Sequence, residues 1–342
     1  MQQYRVVVLG CGKRGKLHAE MFHKNSRFEL AGLCDVDEER LSACADVVER
    51  QPRLYRDLDE MLAQERPDIF CFCTQPGTRL PLVRKGVEAG VKLICLEKPL
   101  ATSLAEGKQM LELCQAAGVK MTLSHQIKYG QHFRKVAEIV DSGALGRIHT
   151  IYGTATGWLL HMATHVIDFI RAYNGMQPAE WVVGQAIGRE KLTDNHPSPD
   201  YVMGTVQFAN GVRGIMEIGY LAPDIPEVEY WWHKGMVGVY GTAGYAEAVI
   251  GGGWRSATKD GFASGPGCWD AQLDQPPYIQ EIADWLDHPE RGHSCSGESA
   301  YQNLEIVMGM LRSAAQREQV VLPLIPDVGE TELQMLDRVL PR

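Results

Sequence analysis

The stretch that decides the fold is Val6-Val7-Val8-Leu9-Gly10-Cys11-Gly12-Lys13-Arg14-Gly15, a β-branched run that enters a Gly-x-Gly-x-x-Gly turn. This order predicts a strand, a turn through the glycines and then a helix. Gly10 permits the tight turn, Gly12 lets the backbone approach a pyrophosphate at the helix N-terminus, and Gly15 allows close helix–strand packing. The stretch therefore predicts a dinucleotide site, with a glycine-rich packing turn as the alternative.

Asp35 ends the next apolar run, Phe28–Cys34, and follows Gly10 by 25 residues. A carboxylate at that place can accept hydrogen bonds from both hydroxyls of the adenosine ribose, and it repels a 2′-phosphate. The sequence therefore favours NAD over NADP. Lys13 and Arg14 are predicted cofactor contacts too, and together with Arg40 they are the cations that keep NADP as the less favoured alternative.

Residues 4–122 alternate strand-like runs with helical patterns, which is typical of a parallel sheet covered on both faces. Beyond residue 122 the pattern changes to hairpins, such as the turn Ala209-Asn210-Gly211 between two strand-like runs, which favours an antiparallel sheet. Residues 251–277 are rich in Gly, Pro and Ser and are predicted to be a long loop. The fold class is therefore α/β, with two domains that meet near residue 123.

The composition excludes several classes of protein. A net charge of −9 argues against a surface for nucleic acid or an anionic membrane. No apolar stretch approaches the ~20 residues of a membrane span, and no signal-peptide pattern opens the chain. The nine cysteines include no Cys-x-x-Cys pair and lie mostly within apolar runs, so we expect buried free thiols and a cytoplasmic protein.

Two short segments, Thr74-Gln75-Pro76 and Glu97-Lys98-Pro99, follow later strands at the edge where open α/β sheets bind ligands. The predicted cofactor contacts in them are Thr74, Pro76, Glu97 and Lys98. Lys98 is also a predicted catalytic group, because its cation can polarise a substrate oxygen. A solvated loop lysine is the alternative for a Lys-Pro pair taken alone.

His161 and His165 are four residues apart in a helical pattern, so they share one face, and Asp168 lies near it. His165 is the predicted general base, since imidazole titrates near neutrality. Asp168 would fix the tautomer of a histidine or complete a buried hydrogen-bond network. The alternatives are two structural histidines, or a two-ligand metal pair that lacks a third ligand nearby, so no metal is predicted.

Together these motifs resemble the Gfo/Idh/MocA family, the glucose–fructose oxidoreductases and inositol dehydrogenases. The matching residues are Gly10–Gly15, Asp35, Thr74–Pro76, Glu97-Lys98-Pro99, Ser142-Gly143-x-x-Gly146, His161–Asp168 and Gly297-Glu298-Ser299. The resemblance implies an NAD(P)-binding Rossmann domain over 1–122. It implies a substrate-binding and oligomerisation α/β domain with a large, mostly antiparallel open sheet over 123–342. It further implies hydride transfer between NAD(P) and a secondary alcohol of a sugar, cyclitol or glycoside.

One position departs from the family pattern, because His161 stands where the resemblance implies an acidic residue. His161 is therefore predicted to assist catalysis or to contact a sugar hydroxyl. The further candidate substrate contacts are His125, Lys128, Tyr129, Trp158, His161 and His165. The cluster Tyr230-Trp231-Trp232-His233 would either face a pyranose ring or belong to the core or an oligomer interface.

Three functions follow from the resemblance. The first is an NAD(P)-dependent dehydrogenase or reductase that acts on a polyol or sugar. The second is a glycosidase that retains NAD and works by transient oxidation and elimination, and the third is a non-catalytic sugar or nucleotide sensor. An open sheet face needs cover, so we expect a homodimer or homotetramer.

Overall fold

The computed structural model of the chain describes residues 2–49, 52–193 and 197–341. It divides into two compact units. The first unit comprises residues 1–102, 106–126 and 271–301, and the second comprises residues 103–105, 127–270 and 302–342. The structure thus differs from the predicted division over 271–301, which return to the first unit.

The first unit is built on six parallel strands in the order β3-β2-β1-β4-β5-β6. The strands are β1 Tyr4–Leu9, β2 Phe28–Cys34, β3 Arg53–Tyr55, β4 Ile69–Phe72, β5 Leu93–Leu96 and β6 Lys120–Leu123. The connecting helices are α1 Lys13–Lys24, α2 Glu38–Ala45, α3 Leu58–Glu65, α4 Arg79–Glu88 and α5 Leu104–Ala117. The strand order reverses at β1, which is where doubly wound sheets open a crevice for a ligand. The predicted parallel sheet is confirmed.

The returning segment closes the first unit through helix α8, Ala271–Asp287. Tyr278 of this helix is fully buried, and its hydroxyl donates to Thr122 Oγ1 at 3.0 Å. At the far end of α8, Tyr4 donates a hydrogen bond to Asp287 at 2.7 Å. A late segment therefore covers the sheet that the start of the chain builds.

The second unit is built on a nine-stranded sheet in the order β14-β13-β12-β11-β7-β10-β9-β8-β15. The strands are β7 Ile148–Ala155, β8 Ala179–Ile187, β9 Tyr201–Phe208, β10 Arg213–Gly219, β11 Gly235–Gly241, β12 Gly244–Val249, β13 Gly253–Thr258, β14 Gly261–Gly265 and β15 Val320–Val321. Only β7 and β10 pair in parallel among these described strands, so the predicted mostly antiparallel sheet is confirmed. Gly211 has φ +84° in the predicted turn that joins β9 to β10.

The predicted loop over 251–277 is wrong, because β13 and β14 form a hairpin there and α8 starts at Ala271. Gly261, which begins β14 directly after the turn, has φ +111°, a conformation that glycine adopts without a steric penalty. All but the last residue of β14 is exposed at the sheet edge. Because this edge strand is exposed, its sequence lacks the alternation of apolar and polar residues that is typical of a strand. Its composition is therefore typical of a loop.

The remaining helices are α6 Gln131–Asp141, α7 Leu159–Tyr173, α9 Gly297–Gln316 and α10 Glu332–Val339. Helix α7 is buried over most of its length and packs on β7, β10 and β11. It carries the two candidate histidines and so fixes them against the centre of the sheet. Within the described part of the chain, no helix is both long and apolar enough to span a bilayer.

Candidate active site

The glycine turn joins β1 to α1, and its three glycines have different reasons to be small. A Cβ on Gly10 would lie 2.8 Å from the Cys73 carbonyl oxygen, and one on Gly15 would lie 1.7 Å from the Gly10 carbonyl oxygen. A Cβ on Gly12, at the start of α1, would meet no atom of the chain within 4 Å. Packing therefore explains Gly10 and Gly15, whereas the space beside Gly12 fits a pyrophosphate at the helix N-terminus.

Asp35 lies buried at the end of β2 and holds this turn. Its Oδ2 accepts from the Cys11 amide at 2.6 Å, and its Oδ1 accepts from the Asp37 amide at 2.9 Å. An ionised carboxylate has about four lone-pair positions, so two remain for ribose hydroxyls. Asp35 can thus anchor the turn and bind the adenosine half of NAD.

Glu97, buried at the end of β5, joins that strand to α1. Its Oε1 accepts from Arg14 Nε at 2.8 Å and lies 3.0 Å from His18 Nε2. Burial alone would raise the pKa of Glu97, but the Arg14 charge and the His18 hydrogen bond hold that pKa well below its usual range. Glu97 is therefore an anion that fixes the helix of the glycine turn, and Arg14 is engaged by it.

Arg79 at the start of α4 ties together the two predicted strand-end segments. Its Nη2 donates to the carbonyl oxygens of Thr74 at 3.3 Å and Lys98 at 3.2 Å, while its Nε and Nη1 have no hydrogen-bond partner. Burial lowers the pKa of Arg79 to about 10, although Glu97 opposes this shift. Sequence reasoning missed Arg79, because nothing in its local pattern distinguishes it from a surface arginine.

Lys98 lies at the carboxyl end of the sheet, and the Lys98–Pro99 peptide bond is cis. Burial lowers the pKa of Lys98 to about 8, with Glu97 opposing the shift and Arg14 and Arg79 adding to it. Of its predicted neighbours, Thr74 Oγ1 accepts from Thr78 at 2.9 Å, Pro76 is buried, and Lys13 is exposed at the start of α1. The first unit therefore collects all the predicted cofactor contacts at the carboxyl edge of its strands.

The second unit places His161 in the first turn of α7 and His165 one turn further along. His161 is half-buried and its ring centroid lies 5.7 Å from that of Trp231, whereas His165 is buried. Neither belongs to the group of three possible metal ligands that the described residues bring together, which is His18, Cys71 and Cys95 of the first unit.

Asp168 is the centre of a buried hydrogen-bond network on α7. Its carboxylate receives Lys128 Nζ at 3.0 Å and Asn303 Nδ2 at 3.0 Å. Asn303 in turn accepts from Arg171 Nη1 at 2.7 Å. Asp168 therefore holds Lys128, a candidate substrate contact, in a defined position, and Asn303 and Arg171 are parts of the site that sequence reasoning missed.

The remaining candidate substrate contacts fall in both units. His125 is buried in the first unit, while Tyr129 and Trp158 are half-buried in the second. The Trp158 ring meets Trp231 edge-to-face with centroids 5.4 Å apart. Trp232 packs instead against His233 and Trp269, with centroid distances of 3.6 and 5.2 Å. Trp231 and Trp232, although adjacent in the sequence, therefore pack against different residues.

The proteins that this chain resembles are named as oxidoreductases or dehydrogenases. Residues 4–125 match the model of the Gfo/Idh/MocA oxidoreductase family with an NAD-binding Rossmann fold. The chain is 30% identical over 146 residues to a D-apiose dehydrogenase of Paraburkholderia graminis, covering 43% of this chain and 38% of that enzyme. It is 22% identical over 339 residues to an inositol 2-dehydrogenase of Rhizobium meliloti, covering 92% and 98%.

A solved oxidoreductase from Agrobacterium radiobacter, in complex with NAD+, L-tartaric acid and magnesium, has the same fold. It aligns with a TM-score of 0.78 at 18% identity, over 94% of this chain and 98% of that one. The predicted resemblance to the Gfo/Idh/MocA family is confirmed. The family that residues 4–125 match is described as NAD-binding, and the relatives that align over most of the chain are named as oxidoreductases or dehydrogenases.

Proposed function

We propose that the chain transfers a hydride between a secondary alcohol of a neutral sugar, cyclitol or glycoside and NAD. The observation that carries this proposal is Lys98, an amine whose pKa burial lowers to about 8. It lies at the same strand edge as the glycine turn, and Arg79 holds its backbone. A lysine tuned towards neutrality beside a nucleotide fold is suited to chemistry at an oxygen rather than to solvation.

The turn at Gly12 and the Asp35 carboxylate would hold NAD, which would supply the hydride acceptor for oxidation of the carbinol carbon. Lys98 stabilises the negative charge that develops on the substrate oxygen, because a cation positioned there acts most strongly in a site from which water is excluded. His165 accepts the hydroxyl proton as general base, and His161 contacts the sugar or assists that transfer. Asp168 keeps Lys128 placed for a further substrate hydroxyl.

The preference for NAD over NADP rests on Asp35, whereas the open space beside Gly12 would take the pyrophosphate that both cofactors carry. A 2′-phosphate near the Asp35 carboxylate would bring two anions together, which supports NAD over NADP.

The test is a screen of NADH formation and consumption at 340 nm across monosaccharides, cyclitols, glycosides and their keto forms. Once a substrate is found, Lys98→Met and His165→Asn should each lower kcat by about 100-fold or more, the range for losing one electrostatic or acid–base group. Lys92→Met, which removes an exposed lysine just before β5, is the matched control and should leave kcat unchanged.

The alternatives give different results in the same assay. A glycosidase would release the aglycone with no net NADH and would keep NAD through gel filtration. A sensor would bind a sugar with the same affinity in wild type and Lys98→Met and would turn over nothing. Either result would overturn the dehydrogenase.

A further inference from the structure

The second unit contains a cavity of about 520 Å³ whose lining includes the candidate substrate contact Trp158 but none of the proposed catalytic groups. Its walls come from the loops at one end of the central strands: after β7, β8 and β10, and before β9 and β11. The pairing brings these ends together, because β7 and β10 run parallel while β9 and β11 run antiparallel to them. Three connections, from β7 to α7, from β8 to β9 and from β10 to β11, therefore meet beside the start of α7, the helix that carries His161.

Trp231 forms a wall of this cavity and is held in place although its side chain is exposed. It is 40% exposed, yet its carbonyl oxygen accepts from Thr156 Oγ1 at 2.9 Å. Gly157, with φ +103°, lies under its ring, and a Cβ there would come within 2.5 Å of that ring. Trp158 closes on it edge-to-face at 5.4 Å. An exposed ring fixed in this way loses little freedom when a ligand covers it.

Tyr220 supplies a second exposed ring, after β10. It is 48% exposed, and its hydroxyl donates to Glu190 at 3.4 Å. The charged side chains in the lining are Glu190, Lys191, Asp224 and Lys234, whose formal charges cancel. Lys234 pairs with Asp224 at 2.7 Å. Aromatic walls with balanced charge suit a neutral ring and disfavour a phosphate or a carboxylate.

The cavity is adjacent to the catalytic face of α7 but distinct from it. Trp231 stands between them, since its ring lines the cavity and also lies 5.7 Å from the His161 ring. Neither His161 nor His165 lines the cavity. A molecule whose reacting ring contacts His161 would therefore reach the cavity with a group about one ring further away.

We propose that this cavity binds the second ring of a glycoside, an aglycone or a neighbouring sugar, while the first ring reacts. This inference rests on the proposed function, because the reacting ring is the one that His161 and His165 serve. It narrows the substrate class from free monosaccharides and cyclitols to glycosides. The cavity volume falls within the range of small-molecule binding sites.

The experiment compares phenyl with methyl glycosides, which differ only in the second ring. The full chain loaded with NAD+ is titrated with the α- and β-phenyl and methyl glycosides of D-glucose, D-galactose and D-xylose, with Kd read by calorimetry. For at least one sugar the phenyl glycoside should bind about 3- to 12-fold more tightly than its methyl partner, the contribution of one well-placed aromatic pair. Tyr220→Ala should abolish this gain. Leu221→Ala, which changes an exposed residue next to Tyr220 that does not line the cavity, should keep it.

The outcomes distinguish failure of the cavity assignment from failure of the proposed dehydrogenase. Equal affinity of phenyl and methyl forms for every sugar, or a phenyl gain that survives Tyr220→Ala, overturns the cavity assignment. Oxidation of methyl glycosides or free sugars without a phenyl gain leaves the proposed dehydrogenase intact and overturns this inference alone. A Tyr220-dependent phenyl gain without any turnover supports the cavity and overturns the dehydrogenase.

Discussion

The strand-end turns of the first unit and the loop end of the second-unit sheet hold their functional side chains by different means. In the first unit, buried charges do so: Glu97 fixes α1, and Arg79 fixes the backbone before α4 and at Lys98. In the second, the cavity walls are half-exposed rings such as Trp231 and Tyr220. Buried charges tolerate little change, because removing one partner leaves the other without compensation. Rings on loops can be exchanged at little cost to the core.

This contrast matches the two tasks of the molecule. A cofactor is the same in every turnover, so a rigid network of ion pairs suits it. Two relatives of this chain are dehydrogenases named for different substrates, D-apiose and inositol. Specificity should therefore lie in parts that can change without unfolding the chain.

The largest effect should come from breaking the charge network of the first unit with Glu97→Gln. This change leaves Arg14 and the buried His18 without their anion, so the free energy of unfolding should fall by about 3 kcal/mol. Because the pKa of Glu97 is depressed on folding, its contribution is present above the unfolded-state pKa near 4.3 and is lost as the pH falls. Urea unfolding of both proteins between about pH 2.5 and 7 measures this, because the loss starts near the unfolded-state pKa and continues towards the depressed pKa of the folded state. A difference that grows on acidification would contradict it.

Arg79→Met should separate binding from stability. The change removes the two hydrogen bonds from Arg79 to the carbonyl oxygens of Thr74 and Lys98. It also removes a buried guanidinium of which two nitrogens have no hydrogen-bond partner. We expect the NAD Kd to rise about 10-fold, as for the loss of one or two hydrogen bonds, with a smaller change in the free energy of unfolding. Calorimetry with NAD and urea unfolding measure the two. Arg84→Met, on the exposed side of α4, is the control, and an equal loss of NAD affinity there would sink the assignment.

The sequence predicts the first unit well where the signal is local. The predicted order of strand, glycine turn and helix at Val6–Gly15 and the apolar run Phe28–Cys34, which is β2, agree with the structure, since β-branched runs and a glycine turn determine them locally. Arg79 could not be found, because its role depends on two carbonyl groups that only the folded sheet brings together. The return of residues 271–301 to the first unit could not be predicted either, because Tyr278 and Thr122, which are hydrogen-bonded, are 156 residues apart in the chain. Side-chain roles that depend on long-range contacts leave no local pattern.

Lys98 offers a test through pH. Its cation is the proposed stabiliser of the alkoxide, and burial places its pKa at about 8, so kcat/KM should fall as the pH rises above 8. Lys98→Arg keeps a charge that does not titrate in this range, so its profile should lack this fall even if its rate is lower. Measurements of kcat/KM from pH 6 to 10 with the best substrate, for wild type and Lys98→Arg, test this prediction. A fall near pH 8 that persists in Lys98→Arg assigns it to another group.

The smallest effect should come from His161→Asp, which restores the acidic residue that the family resemblance implies. His161 is the third residue of α7, whose first turn contains no acidic residue. A carboxylate there meets the positive end of the helix dipole, so the free energy of unfolding should rise by about 0.3–1 kcal/mol and the gain should shrink in salt. His161→Asn, similar in size and uncharged, is the control and should not show this salt dependence.

The same variant sharpens the contrast between the units. If the second unit tolerates exchange at its site, His161→Asp should keep kcat within about 10-fold of wild type, whereas Lys98→Met should not. Loss of turnover in a well-folded His161→Asp chain would mean that this histidine is as constrained as the buried charges of the first unit. His161 would then be a proton-transfer group in its own right, and the tolerance of the second unit would be confined to the cavity rings.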